Sequence, residues 1–260
     1  MSLSLSAILP HHPLLLPSIA KDNLSSLQTT ISALNDIAAS IKAKQIDSLI
    51  IISEHNHPLK DKVTIGHCPE FKVDLSDFGD LSTDFSCLGD LELSYQIRER
   101  LEDNNIVNLA CPASLDYGMA VPLFYIQQHH PVKIIPIFSA HPSLELTYKL
   151  GQSINEIINI SSKRIAVIAA GDLSHTLSSQ SPAGYNEIGK KFDNLLIKYL
   201  RNKDISQIIN FDSEIATEAK QCILRPLSLL LGILDQSNFS TDIISYEHPF
   251  GIGHLVAKFR

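Results

Sequence analysis

Positions 165–170 (IAVIAA) are apolar without a polar break, the pattern of a strand buried on both faces of a parallel sheet. Residues 48–52 (SLIII) read as a second buried strand and 133–139 (KIIPIFS) as another strand, in which Pro136 disfavours a central pairing position unless a bulge intervenes. Residues 3–9 alternate and stop at Pro10, which predicts a first strand; 106–110, 241–246 and 254–258 predict shorter ones.

Between these runs the period changes. Leu24, Leu27, Ile31, Leu34, Ile37, Ala38 and Ile41 predict an amphipathic helix over 23–44, with Asp22 or Ser25 able to cap it. Helices are expected over 91–102, 119–128, 144–160, 185–201 and 205–211, and 214–234 reads as a long helix interrupted by Pro226. Residues 61–90, rich in Asp, Ser, Gly and Phe with weak alternation, read as an antiparallel excursion or a long loop, with a hairpin covering the pocket as one form of it. Strands alternating with helices predict an α/β fold, a single domain over 1–260 with a central mostly parallel or mixed sheet flanked by helices.

Polar chemistry gathers where the strands end, which is where open α/β sheets bind ligands. His11 and His12 follow the first strand, His55 and His57 the second, and Asp172, Ser174 and His175 the run at 165–170. His141 follows another strand, Asp116 and Gly118 fall in a turn, and His248 and His254 flank the last connection. Taken singly, each histidine is most simply a polar loop residue; the repeated placement favours convergence of His11, His55 and His175 at one sheet edge. Neutral imidazole is the commonest metal ligand, and two imidazoles with one carboxylate form the facial set of non-haem ferrous sites. Glu214, Glu218 and Cys222 are one helical turn apart in pairs, so Glu218 shares a face with either neighbour. No GxSxG, GxGxxG or GxxxxGK[ST] segment is present, which argues against a serine hydrolase or a nucleotide-phosphate loop.

The net charge of -7, with no Lys/Arg run longer than two, argues against nucleic-acid or anionic-membrane partners. No apolar segment approaches the roughly 20 residues of a spanning helix, and the N-terminus has no basic region or cleavage site, so a cytoplasmic protein is expected. The 4 cysteines form no CxxC pair, so reduced thiols are expected, with neither a zinc knuckle nor a disulfide framework.

Five stretches in fixed order carry a family likeness: PHHPLLLPSIA, ISEH, GDLSH followed by SPAGY and KKFDNLL, EAKQCILRPLSLLLGIL, and YEHPFGIGHLVA. Together they resemble the class III extradiol ring-cleavage dioxygenases of the LigB type, and within these the dioxygenase-like component of the AmmeMemoRadiSam system, whose relatives include the Memo proteins. The resemblance implies metal ligands His11 and His55, a third from Glu218 or alternatively Cys222 with Glu218 corresponding better, and His175 as acid/base. It places His12, His57, Tyr117, Asp172, His248 and His254 in the substrate pocket. His12 stands where a proline is usual, Asp116-Tyr117-Gly118 replaces a DHG motif, His248 replaces a glycine and His254 a tyrosine. The implied cofactor is Fe(II), with Zn or Cu as alternatives. Implied partners are a small aromatic substrate and dioxygen, a radical-enzyme system and a second copy of the chain. The implied function is catechol ring cleavage; the alternatives are a Memo-like metal-binding or redox-regulatory protein, and a zinc-dependent hydrolase or lyase.

Overall fold

The computed structural model describes residues 2–55, 61–102, 105–235 and 237–260 and has the expected α/β architecture. Its strands are β1 (Leu3–Leu9), β2 (Ser48–Ser53), β3 (Val63–Gly66), β4 (Glu70–Lys72), β5 (Ser86–Leu88), β6 (Val107–Ala110), β7 (Lys133–Ser139), β8 (Ile165–Ala170), β9 (Thr241–Glu247) and β10 (His254–Phe259). The helices are α1 (Pro17–Ala20), α2 (Gln28–Ala43), α3 (Leu91–Arg100), α4 (Tyr117–His129), α5 (Leu144–Ile160), α6 (Glu187–Asn202), α7 (Ile205–Ile209), α8 (Ser213–Glu218) and α9 (Leu224–Leu234). Eight strands form one mixed sheet in the order β6-β3-β7-β2-β8-β1-β10-β9, while β4 and β5 pair as a separate antiparallel ribbon. The central β7, β2, β8 and β1 are parallel, so their carboxyl ends share one edge. β10 runs against β1, which brings its first residue, His254, to that same edge.

Strand parity decides which core each side chain joins. Ile50, Ile52, Ile165, Val167 and Ala169 face the layer of α3, α5, α6 and α9. Leu49, Ile51, Ala166, Ile168 and Ala170 face α2 and α4. Helices on both faces explain the unalternated apolar runs of β2 and β8, since every residue there is buried. Among the described residues no helix is long and apolar enough to cross a membrane.

Several expectations are corrected. Pro136 sits in a central strand without a bulge toward β2, and pairing to β3 ends at Ile65↔Ile137, one residue short of it. A 3-10 turn over Lys21–Leu27 precedes α2, so Asp22 and Ser25 lie within that turn and neither caps α2. The excursion at 61–90 contributes β3 to the main sheet as well as the β4–β5 ribbon. Cys68 and Cys111 form a disulfide with Cα atoms 5.2 Å apart. Adjacent β3 and β6 end in register at Gly66↔Ala110, so two cysteines distant in sequence emerge side by side. Cys87 and Cys222 are free and buried. Finally, 214–234 is not one helix: α8 ends at Glu218 and α9 begins at Leu224. Pro226 lies in the first turn of α9, where its missing N–H is tolerated, so the break falls before the proline.

Candidate metal centre

β1 runs straight into Pro10-His11, and His11 is buried with its backbone N–H donating to Asp172 Oδ1 at 3.1 Å. After β8 the chain turns at Gly171, where a Cβ would come within 2.8 Å of the Cys222 carbonyl oxygen and 2.9 Å of Ile223. Only glycine lets the segment between α8 and α9 approach this closely. That segment is tied down from both sides: Cys222 N–H donates to Asp172 O (3.3 Å), His175 N–H to Ala219 O (2.9 Å), and Asp172 N–H points at Cys222 Sγ (3.2 Å).

The helix break therefore turns Cys222 inward. Its Sγ lies 3.1 Å from His11 Nε2. His55, just past β2, packs its ring against His11 with centroids 4.8 Å apart. Ligand atoms of His11, His55 and Cys222 lie within 4.8 Å of one another, as do those of Asp172, His175 and Cys222. Asp172 Oδ2 stands 3.8 Å from His11 Nε2 and 3.9 Å from His175 Nε2.

Glu218 does not join them. Its side chain is exposed and accepts a hydrogen bond from Asn186 Nδ2 at 2.9 Å. The expected shared face with Cys222 required a continuous helix, and the break removes it. Tyr117 is brought in by α4, which Asp116 caps: its hydroxyl is 3.2 Å from His55 Nδ1 and 3.4 Å from Nε2. The loop between β4 and β5 reaches this rim, where the Phe78 ring meets Tyr117 at 5.1 Å. His12 and His254 lie beside the centre with ring centroids 5.3 Å apart. His248 is exposed, its ring 6.0 Å from Tyr246. His141 instead accepts from the Ser143 N–H. His57 lies outside the described residues. Glu54 carries no expectation from the sequence, although it stands within ISEH; half-buried just past β2, it faces Arg225 at 3.4 Å.

Burial sets the protonation of this cluster. It pushes the Asp172 carboxyl up to about 7, against the His11 and His12 N–H groups that favour the anion. Burial raises the Cys222 thiol well above its ordinary range, reinforced by the Asp172 and Glu54 carboxylates. His55 falls to about 4 through burial and then the neighbouring His175; His11 falls well below the usual range through burial, then His55, His175 and His12. Burial also lowers His175. The imidazoles are thus unprotonated donors, and a cation would relieve the unfavourable ionisation of the thiol and the carboxyl, so the residues fit a metal.

An open α/β sheet with this imidazole and thiol cluster at its carboxyl edge belongs to a defined class: residues 5–257 match the catalytic LigB subunit of aromatic ring-opening dioxygenase, and the chain is a member of that family. It is 28% identical over 270 residues to Protein CA_C1420 of Clostridium acetobutylicum, an alignment covering 99% of this chain and 58% of that protein. The chain thus spans under two thirds of that relative's length. Its fold is similar to the crystal structure of the uncharacterized protein JW3007 from Escherichia coli K12, with TM-score 0.69, 16% identity and 98% coverage of each chain.

Proposed function

We propose that His11, His55 and the thiolate of Cys222 hold one transition-metal ion, and that the protein is a Memo-like metal-binding, redox-type member of the LigB family. The observation that carries this reading is Cys222 Sγ at 3.1 Å from His11 Nε2, with Glu218 turned to solvent. A thiolate beside two imidazoles is a softer donor set than the two-histidine, one-carboxylate arrangement of ferrous oxygenases, and it suits copper, zinc or thiolate-bound iron. When bound, the metal would supply Lewis acidity and, for copper or iron, a redox couple.

The remaining roles belong to the chain. Asp172 holds the His11 backbone through its Oδ1 and supplies a buried carboxyl between the His11 and His175 rings, fixing the polarity of that space. His175 is anchored by its backbone to Ala219, and its Nε2 has no hydrogen-bond partner, so it is free to take or give a proton to a bound ligand. The Tyr117 hydroxyl touches His55 and closes the opposite rim with Phe78.

A second reading, iron(II)-dependent cleavage of a small catechol by dioxygen, is supported by family membership and by Asp172, a carboxylate beside two imidazoles. In that reading His175 moves the proton during ring opening. Metal analysis of protein purified anaerobically without chelators, followed by a catechol panel in air, separates the two. The proposal expects bound metal that is lost on Cys222→Ser and no yellow ring-opened product. Iron with yellow product, retained in Cys222→Ser, selects ring cleavage.

A further inference from the structure

His55 and Cys222 sit on two segments far apart in the chain, the end of β2 and the connection between α8 and α9, and for their donor atoms to meet these segments must be held together. The connection is tied to the turn after β8, by Cys222 N–H to Asp172 O and His175 N–H to Ala219 O. Toward β2, the hydrogen-bonded link among the described residues is a single ion pair, in which Arg225 Nη1 donates to Glu54 Oε2 at 3.4 Å.

The link is direct along both segments. Glu54 immediately precedes His55, and Arg225 follows Cys222 by three residues. Gln221 Oε1 accepts from the Ile223 and Leu224 N–H groups, both at 2.9 Å, so α9 starts right behind Cys222 and carries Arg225 in its first turn. The pair also belongs to a wall. A cleft of about 600 Å³ among the starts of α5 and α9 and the α7–α8 region is lined by Glu54, Gln221, Leu224 and Arg225, and by none of His11, His55, His175 and Cys222. Neighbours in each segment are therefore divided: Glu54 and Gln221 line the cleft, while His55 and Cys222 join the cluster.

Among the described residues each partner of the pair has only the other as an ion-pair partner. The Glu54 side chain is 14% exposed and that of Arg225 38%, so water does little to replace the guanidinium beside the carboxylate. Burial raises the Glu54 carboxyl, and the Arg225 charge counters it. A pair of this kind differs from a solvated surface bridge, because removing one partner leaves the other charge uncompensated.

We infer that Glu54 and Arg225 are positioning residues, a clasp that holds the Cys222 segment against the His55 segment and closes the metal centre off from the cleft. The inference rests on the proposed function in taking His55 and Cys222 as donors to one ion, and it adds that their approach depends on two side chains outside the donor set.

The test uses Arg225→Met, the double variant Glu54→Gln/Arg225→Met, and Arg225→Lys. Competition of Co(II) against a chromophoric chelator reads affinity. Iodoacetamide labelling of EDTA-stripped, folded protein, mapped by mass spectrometry, reads the reactivity of Cys222 relative to Cys87, the other free and buried thiol. Arg225→Met leaves the Glu54 carboxylate unpaired, whereas the double variant removes that carboxylate too, so its thermal midpoint should recover toward wild type. Both should nevertheless bind Co(II) at least about tenfold more weakly, as expected for loss of a group that orients a ligand. Both should also raise the Cys222 to Cys87 labelling ratio at least about tenfold, because the segment opens locally. Arg225→Lys should stay within about threefold of wild type in both assays, since the contact is made by one nitrogen and a point charge can replace it. Wild-type ratio and affinity in Arg225→Met, or their return to wild type with the midpoint in the double variant, overturn the inference, because the pair would then serve stability alone. Wild-type protein that takes up no Co(II) would sink the metal centre, and the labelling ratio in stripped protein then decides the clasp by itself, so the two readings fail separately.

Discussion

Replacing Cys222 with serine removes one of the three proposed donors while keeping nearly the same shape. The apo fold should tolerate it, because Ser Oγ can still accept from the Asp172 N–H that now lies 3.2 Å from Sγ, and the cost should stay within about 1 kcal/mol. Metal affinity should not tolerate it. Altering groups that merely orient metal ligands costs about 10–100-fold, and losing a direct donor 3.1 Å from His11 Nε2 should cost at least the upper end of that range, about 2.7 kcal/mol. Competition against a chromophoric chelator measures the affinity, and the sulfur-to-metal charge-transfer band of the Co(II)-loaded protein reports the bond itself. Cys222→Ser should lose both the band and the affinity. Glu218→Gln, changed on an exposed side chain bonded to Asn186, should keep both within about twofold. Retained affinity in Cys222→Ser together with loss in Glu218→Gln would refute the assignment.

On the proposed role in proton transfer, His175→Ala should keep its metal yet lose about 10²–10⁴ in turnover of any substrate found; loss of metal on analysis would make it a ligand. In EDTA-treated protein, burial holds the Asp172 carboxyl near 7 against 3.8 unfolded, so folding favours its protonated form and this stability declines as pH rises between those values. Asp172→Asn should therefore gain on wild type across that window by up to about 4 kcal/mol in denaturant melts, whereas a pH-independent difference would contradict the burial argument. Cys111→Ser opens a bridge across a separation of 43 residues and should lower stability by about 4 kcal/mol on the chain-entropy estimate, checked by melts with and without reductant; identical melts would show the bridge does not constrain the chain.

The sheet and the gathering of three candidate histidines were legible because they follow from local pattern. Unalternated apolar runs marked β2 and β8, and strand ends carried His11, His55 and His175 to one edge. What escaped depends on breaks and registers that periodicity does not record. Glu218 and Cys222 share a face only if the helix continues; the chain instead leaves it at Glu218, and Pro226 was the visible sign that a new helix starts nearby. The Cys68–Cys111 bridge needs the β3–β6 register, and the approach of His254 to His12 needs β10 to run against β1. Neither pairing leaves a short-range mark in the sequence.

X-ray absorption on protein isolated anaerobically without chelators or affinity metals tests the central claim most directly. The account predicts close to one transition-metal ion per chain with one sulfur at about 2.3 Å and imidazole nitrogens at about 2.0–2.1 Å, the sulfur absent in Cys222→Ser. A metal ringed only by nitrogen and oxygen, or protein isolated with none, would contradict it.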